Sequence, residues 1–126
     1  MVNKCIKSKF VSTVGKFSEV FSNELKKITK AKYVLCLVNG TSALHISLLL
    51  ANVDQCSEVI TQPLTFVATC NAINYCGAQP IFLDVDKDTM GLSPNALKSF
   101  LEENTSIKNQ QCINNTSGKV IKACLP

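Results

Sequence analysis

The sequence predicts an α/β fold, a mostly parallel sheet with flanking helices. Three observations carry this expectation. Short apolar runs alternate with longer helix-like segments, the pattern of strand–helix–strand units with right-handed crossovers. The first of these runs is continuously apolar, as in strands buried on both faces. The 126 residues are 46% hydrophobic and 17% charged, which supplies a core and excludes a disordered or fibrous chain. That length fits one domain, or a piece of one.

The elements follow in order. Residues 15–32 read as an amphipathic helix, because Phe17, Val20, Phe21, Leu25 and Ile28 recur at helical spacing while Lys16, Glu19, Lys26 and Lys27 lie off that stripe. Residues 33–38 (YVLCLV) form an apolar run bounded by polar residues and read as a first, buried strand. Asn39-Gly40-Thr41-Ser42 breaks it, and residues 42–52 have the composition of a buried helix. Glu58-Val59-Ile60-Thr61 is a second strand, ended by Pro63. Residues 65–76 are helical, and Gly77 suits a helix stop. Residues 80–85 make a third strand, with its proline at the first position, where a missing N–H is tolerated. Asp86-Lys87-Asp88-Thr89 is a polar turn. Ser93-Pro94 pairs an N-cap with a proline at the first helical position, and starts a helix to about Glu103. Residues 104–118, rich in asparagine, serine and threonine, read as a loop, and residues 119–125 as a fourth strand. A sheet protein ending on a strand wants a helix to cover that strand, so residues 1–126 are expected to be part of a larger fold.

Charge and cysteine usage exclude several function classes. All 13 basic residues are lysines, spread along the chain with only Lys26-Lys27 adjacent. Arginine is the usual reader of bases and clamp of phosphates, so nucleic-acid binding is not expected. The longest apolar stretch, Leu48-Leu49-Leu50-Ala51, is far short of the roughly 20 residues of a membrane span. No apolar run marks a signal peptide. Seven cysteines, an odd number, point to free thiols in a reducing, cytoplasmic setting, where they would serve as small core hydrophobes. With one histidine and no closely spaced cysteine pair, no metal site is expected.

Ligands of open parallel sheets sit beyond the carboxyl ends of the strands. At the first such end, Asn39-Gly40-Thr41-Ser42-Ala43, a glycine permits close approach. Two hydroxyls follow where unpaired N–H groups and the helix dipole favour an anion. This suits one phosphate, although Asn39 or Thr41 could instead only cap the helix. The segment has neither G-x-G-x-x-G nor G-x-x-x-x-G-K-[ST], and no acid stands about 20 residues on, which disfavours a dinucleotide. At the second strand end, Phe66 could stack on a flat ligand or belong to the core. Asp84, Asp86 and Asp88 read as turn and capping residues, and His45 as a satisfied core histidine.

Taken together, Asn39-Gly40-Thr41-Ser42-Ala43-Leu44-His45, Glu58-Val59-Ile60-Thr61, Pro63-Leu64-Thr65-Phe66-Val67-Ala68-Thr69, Asn71-Ala72-Ile73, Gly77-Ala78 and Asp84-Val85-Asp86 resemble the DegT-type sugar aminotransferases. These are pyridoxal-phosphate enzymes of fold type I that aminate keto sugars on nucleotide carriers. The resemblance spans residues 10–126 and implies a partial PLP-binding large domain over 1–126. It assigns Thr41 and Ser42 to the cofactor phosphate and Phe66 to the cofactor ring, and it gives His45 no duty. Asp88-Thr89-Met90-Gly91-Leu92-Ser93-Pro94 is most similar to the branch serving bacillosamine- or legionaminate-type sugars. The implied substrates are a nucleotide-linked keto sugar and glutamate, and the implied assembly of an intact member is a homodimer. The family's Schiff-base lysine, its aspartate for the ring nitrogen and a further phosphate-binding serine match nothing in these residues. No catalytic residue is therefore assigned, the cofactor site is expected to be incomplete, and the chain alone is expected not to transaminate. A non-catalytic module for a phosphorylated ligand, or a remnant that pairs with an intact subunit, is the alternative expectation.

Overall fold

The computed structural model describes residues 2–9 and 15–126. Residues 10–14, where the resemblance begins, lie outside the described residues. The chain divides into two compact units, residues 1–37 and 38–126.

In the first unit, α1 (Val2–Ser8) precedes α2 (Lys16–Thr29). The sequence pattern did not predict α1, and it carried α2 three residues too far. Lys30 ends α2 by turning left-handed at φ 59°, with its N–H bonded to the Lys26 carbonyl. The strand expected over 33–38 does not form. Tyr33 and Leu35 are exposed, and among the described residues no strand is hydrogen-bonded to this run. An apolar run becomes a strand only when a neighbour takes its N–H and C=O groups.

The second unit contains α3 (Gly40–Leu50), β1 (Ser57–Thr61), α4 (Val67–Tyr75), β2 (Gln79–Phe82), α5 (Pro94–Asn104), β3 (Thr105–Lys108), β4 (Gln111–Asn114) and β5 (Val120–Leu125). Its sheet has the order β2-β1-β5-β4-β3. The first three strands are parallel, and β4 and β3 then run antiparallel. The loop expected over 104–118 is thus corrected to a hairpin. Its two-residue turn places Asn109 and Gln110 at φ 50° and 63°. Positive φ at both central residues matches the twist of paired strands, but glutamine does not advertise it in a sequence.

The core lies where α3 and α4 pack together. Leu48 of α3 and Ala72 and Ile73 of α4 meet Val53, Val59 and Ala78. Fully burying side chains such as Leu48, Val59 and Ile73 contributes about 1.5–3 kcal/mol each. Gly77 stops α4 at φ 74°, and a Cβ there would come within 3.2 Å of Gln55 Cβ. Strand β1 also buries three polar side chains, each with a partner. Ser57 Oγ donates to Asp54 (2.6 Å), Thr61 Oγ1 donates to the Leu125 carbonyl (2.9 Å), and Glu58 Oε2 accepts from Asn114 Nδ2 (2.8 Å). These bonds tie β1 to its neighbours and offset the cost of burial. The cysteines do not fill the core as expected. Cys36, Cys56 and Cys124 are exposed and the other four only half-buried, all as free thiols.

Chain direction positions the site. The polypeptide leaves the C-terminus of α3 to enter β1, and leaves β1 to enter α4. The N-termini of both helices therefore share the carboxyl edge of β1.

Candidate cofactor site

At the first of these N-termini, Asn39 is the N-cap of α3. Its Oδ1 accepts from Ser42 N at 2.8 Å, and its carbonyl accepts from Ala43 N at 3.2 Å. The capping expectation for Asn39 is therefore met, and it uses only one first-turn N–H. The Gly40 and Thr41 N–H groups and the Thr41 and Ser42 hydroxyls have no hydrogen-bond partner among the described residues. A Cβ placed on Gly40 would meet no atom within 4 Å, so the space over the turn is open. Four donors beside the positive end of an 11-residue helix make a seat for one anion.

At the second N-terminus, Phe66 is the N-cap of α4, in extended conformation. Phe66 is 79% exposed, so it is not part of the core that the described residues form. The turn leading to it is held by Gln62, whose Nε2 donates to the Leu64 carbonyl at 2.8 Å. Gln62 is 9% exposed, and its Oε1 has no partner. An unmet buried acceptor costs about 1–3 kcal/mol. Sequence reasoning passed over Gln62; an amide closing an otherwise apolar strand, just before proline, was the available signal.

The remaining candidates take structural roles. His45 is half-buried and stacks edge-on against Tyr75, with ring centroids 5.6 Å apart. Asp86 Oδ1 accepts from the Asp88 and Thr89 N–H groups at 2.8 and 3.1 Å. Those two bonds, the Thr89 one foremost, hold the Asp86 carboxyl below its usual range. Asp84 Oδ1 accepts from Val85 N. No group of metal-ligating side chains occurs among the described residues. An apolar cleft of about 590 Å³ lies on the sheet face beside α5, lined by Ile60, Leu97, Leu101, Ile107, Ile121 and Cys124 among others. None of Thr41, Ser42 or Phe66 lines it. Among the described residues no helix is long and apolar enough to cross a membrane.

Residues 1–114 match the sequence model of the DegT/DnrJ/EryC1/StrS aminotransferase family. The chain belongs to this family. GDP-perosamine synthase of Escherichia coli O157:H7 is 36% identical over 104 residues, covering 82% of this chain and 29% of that protein. A DegT/DnrJ/EryC1/StrS aminotransferase from Brucella abortus superposes with a TM-score of 0.79, over 98% of this chain and 30% of its own, at 22% identity. NtdA from Bacillus subtilis, solved with bound cofactor PMP, superposes with a TM-score of 0.66 at 31% identity, over 69% of this chain and 20% of its own. The chain thus spans less than a third of the length of these relatives. The fold is the expected one, that of the fold type I aminotransferases, and the family is pyridoxal-phosphate dependent.

The cofactor used by the DegT/DnrJ/EryC1/StrS family brings one phosphate dianion and one flat ring. The residues present fit both. Free hydroxyls and N–H groups stand at the start of α3 beside the open space at Gly40, and an uncovered aromatic residue stands at the start of α4 on the same edge.

Proposed function

We propose that this chain supplies the phosphate- and ring-holding part of the large domain of a PLP-dependent sugar aminotransferase. Thr41 and Ser42 donate their hydroxyls to the cofactor phosphate, beside the Gly40 and Thr41 N–H groups. Phe66 lies against one face of the ring and excludes water from it. When bound, the cofactor draws electrons from an attached carbon and so lets a proton leave and return there. The residues of this chain bind and orient it; none of them is assigned to move that proton.

The observation that carries the reading is the set of unpartnered donors at the start of α3, in a chain whose family uses a cofactor with a single phosphate. The substrates are a nucleotide-linked keto sugar, of the bacillosamine or legionaminate type, and glutamate as amino donor. The working protein is a cytoplasmic homodimer, and residues 1–126 are part of its PLP-binding domain. No lysine here stands in the family's lysine motif, so this polypeptide alone binds the cofactor without transaminating.

Pyridoxamine phosphate (PMP) tests this, because it fluoresces and forms no bond to stray lysines. The unaltered chain should raise its fluorescence anisotropy. Thr41→Ala and Ser42→Ala should each weaken binding about 10-fold, as expected for losing a hydrogen bond to a charged group. Absence of binding, or indifference to both substitutions, would overturn the site. Turnover of glutamate and a nucleotide keto sugar by the chain alone would overturn its assignment as incomplete.

A further inference from the structure

We infer that Gln62 is a positioning residue for the cofactor ring; this rests on the cofactor reading above. Phe66 is mostly exposed and caps α4 without a side-chain bond, so packing does little to hold it. What sets its direction is the backbone turn from the end of β1. Pro63 restricts one torsion of that turn. Two side-chain hydrogen bonds brace that turn: Gln62 Nε2 donates to the Leu64 carbonyl, two residues before Phe66, and the Thr65 and Thr69 hydroxyls meet at 3.2 Å where the turn enters α4. Only the amide nitrogen can donate to a carbonyl, which fixes the orientation of the Gln62 amide and leaves Oε1 without a donor. Glu58 and Ile60 precede Gln62 on the same side of β1. An apolar side chain would fill that place without an unmet acceptor. The amide therefore has its use in the Leu64 bond, and that bond shapes the turn that presents Phe66. Glu58, also buried on this strand, has its oxygen satisfied by Asn114 and plays no such part.

Gln62→Met keeps the volume, removes the unmet acceptor and breaks the Leu64 bond. A residue serving stability alone would show its effect in the melting temperature. A residue that aims the ring acts on ligands that have a ring. The full chain should therefore show three results. Gln62→Met weakens PMP binding roughly 2- to 10-fold, the worth of a stacked ring. Its affinity for inorganic phosphate, measured by displacement of PMP, stays unchanged. In a Phe66→Ala background the same substitution has no further effect on PMP, because the two residues act as one unit. Equal weakening of PMP and phosphate, additive losses with Phe66→Ala, or unchanged PMP affinity would each overturn the role of Gln62 alone. Failure of the unaltered chain to bind PMP would overturn the cofactor site and this inference with it.

Discussion

Asn39 combines two tasks that a single charge would separate. Its Oδ1 caps α3 by accepting from Ser42 N, and it stands beside the donors assigned to the phosphate. Asn39→Asp keeps the cap, since the two residues rank alike there, and adds a charge that the helix dipole favours by roughly 0.3–1 kcal/mol. The same charge repels a phosphate dianion. The melting temperature should hold or rise while PMP affinity falls several-fold; unchanged affinity would place the anion elsewhere. This position was legible in the sequence because capping is local chemistry, written in four consecutive residues. Phe66 was only half legible, because core and stacking readings differ in exposure, which depends on the fold. Gln62 was not legible at all, since both its burial and its bond to Leu64 exist only once the turn has formed.

Lys122 shows how an element can be locked by a fault in its register. Glu58 pairs with Ile121 but Val59 with Ala123, so Lys122 is the extra residue of a bulge in β5. Its Nζ donates to the Asn52 carbonyl and to Asp54 Oδ2, joining β5 to the α3–β1 connection. The Asp54 carboxyl is held below its ordinary value of 3.8, first by the Ser57 hydroxyl and then by the hydrogen bond from Lys122; burial opposes them, and the Cys56 N–H adds a lesser lowering. A depressed folded value means stabilisation that is complete above 3.8 and is lost as pH falls through the lower folded value. Asp54→Asn should therefore be less stable than the unaltered chain at neutral pH, with the gap closing in acid below that value. Denaturant melts across pH check this, and a gap of constant size would remove Asp54 from the account. Among the elements, α5 was legible because Ser93 and Pro94 mark its start, and the structure confirms Ser93 Oγ accepting from Ala96 N. The run 33–38 and the β3–β4 hairpin were not, because pairing partners and left-handed turn residues such as Gln110 are properties of the folded chain.

At the scale of the molecule, many large apolar side chains of the described residues stand in solvent. Helix α3 is apolar on nearly every side, a composition that suits an interior. Only Leu48 is buried, while Ile46, Leu49 and Leu50 are exposed, Leu50 by 80%. Phe82 on β2 and Ile107 on β3 are also open, at the two edges of the sheet. Contiguous apolar surface and open edges drive association. The parallel strands and their helices were read from the alternation of apolar runs, but which faces stay uncovered could not be, because that depends on what packs around them. Two substitutions only two residues apart, on opposite sides of α3, separate folding from association. Leu48→Ala removes a buried side chain and should cost about 2–5 kcal/mol of stability. Leu50→Lys adds charge to an exposed site and should leave the stability within about 0.5 kcal/mol of the unaltered chain's. It should also lower light scattering at high protein concentration. A monodisperse monomer before any substitution, or a Leu50→Lys variant that melts as early as Leu48→Ala, would show that the outer face of α3 is not the surface through which the chain associates.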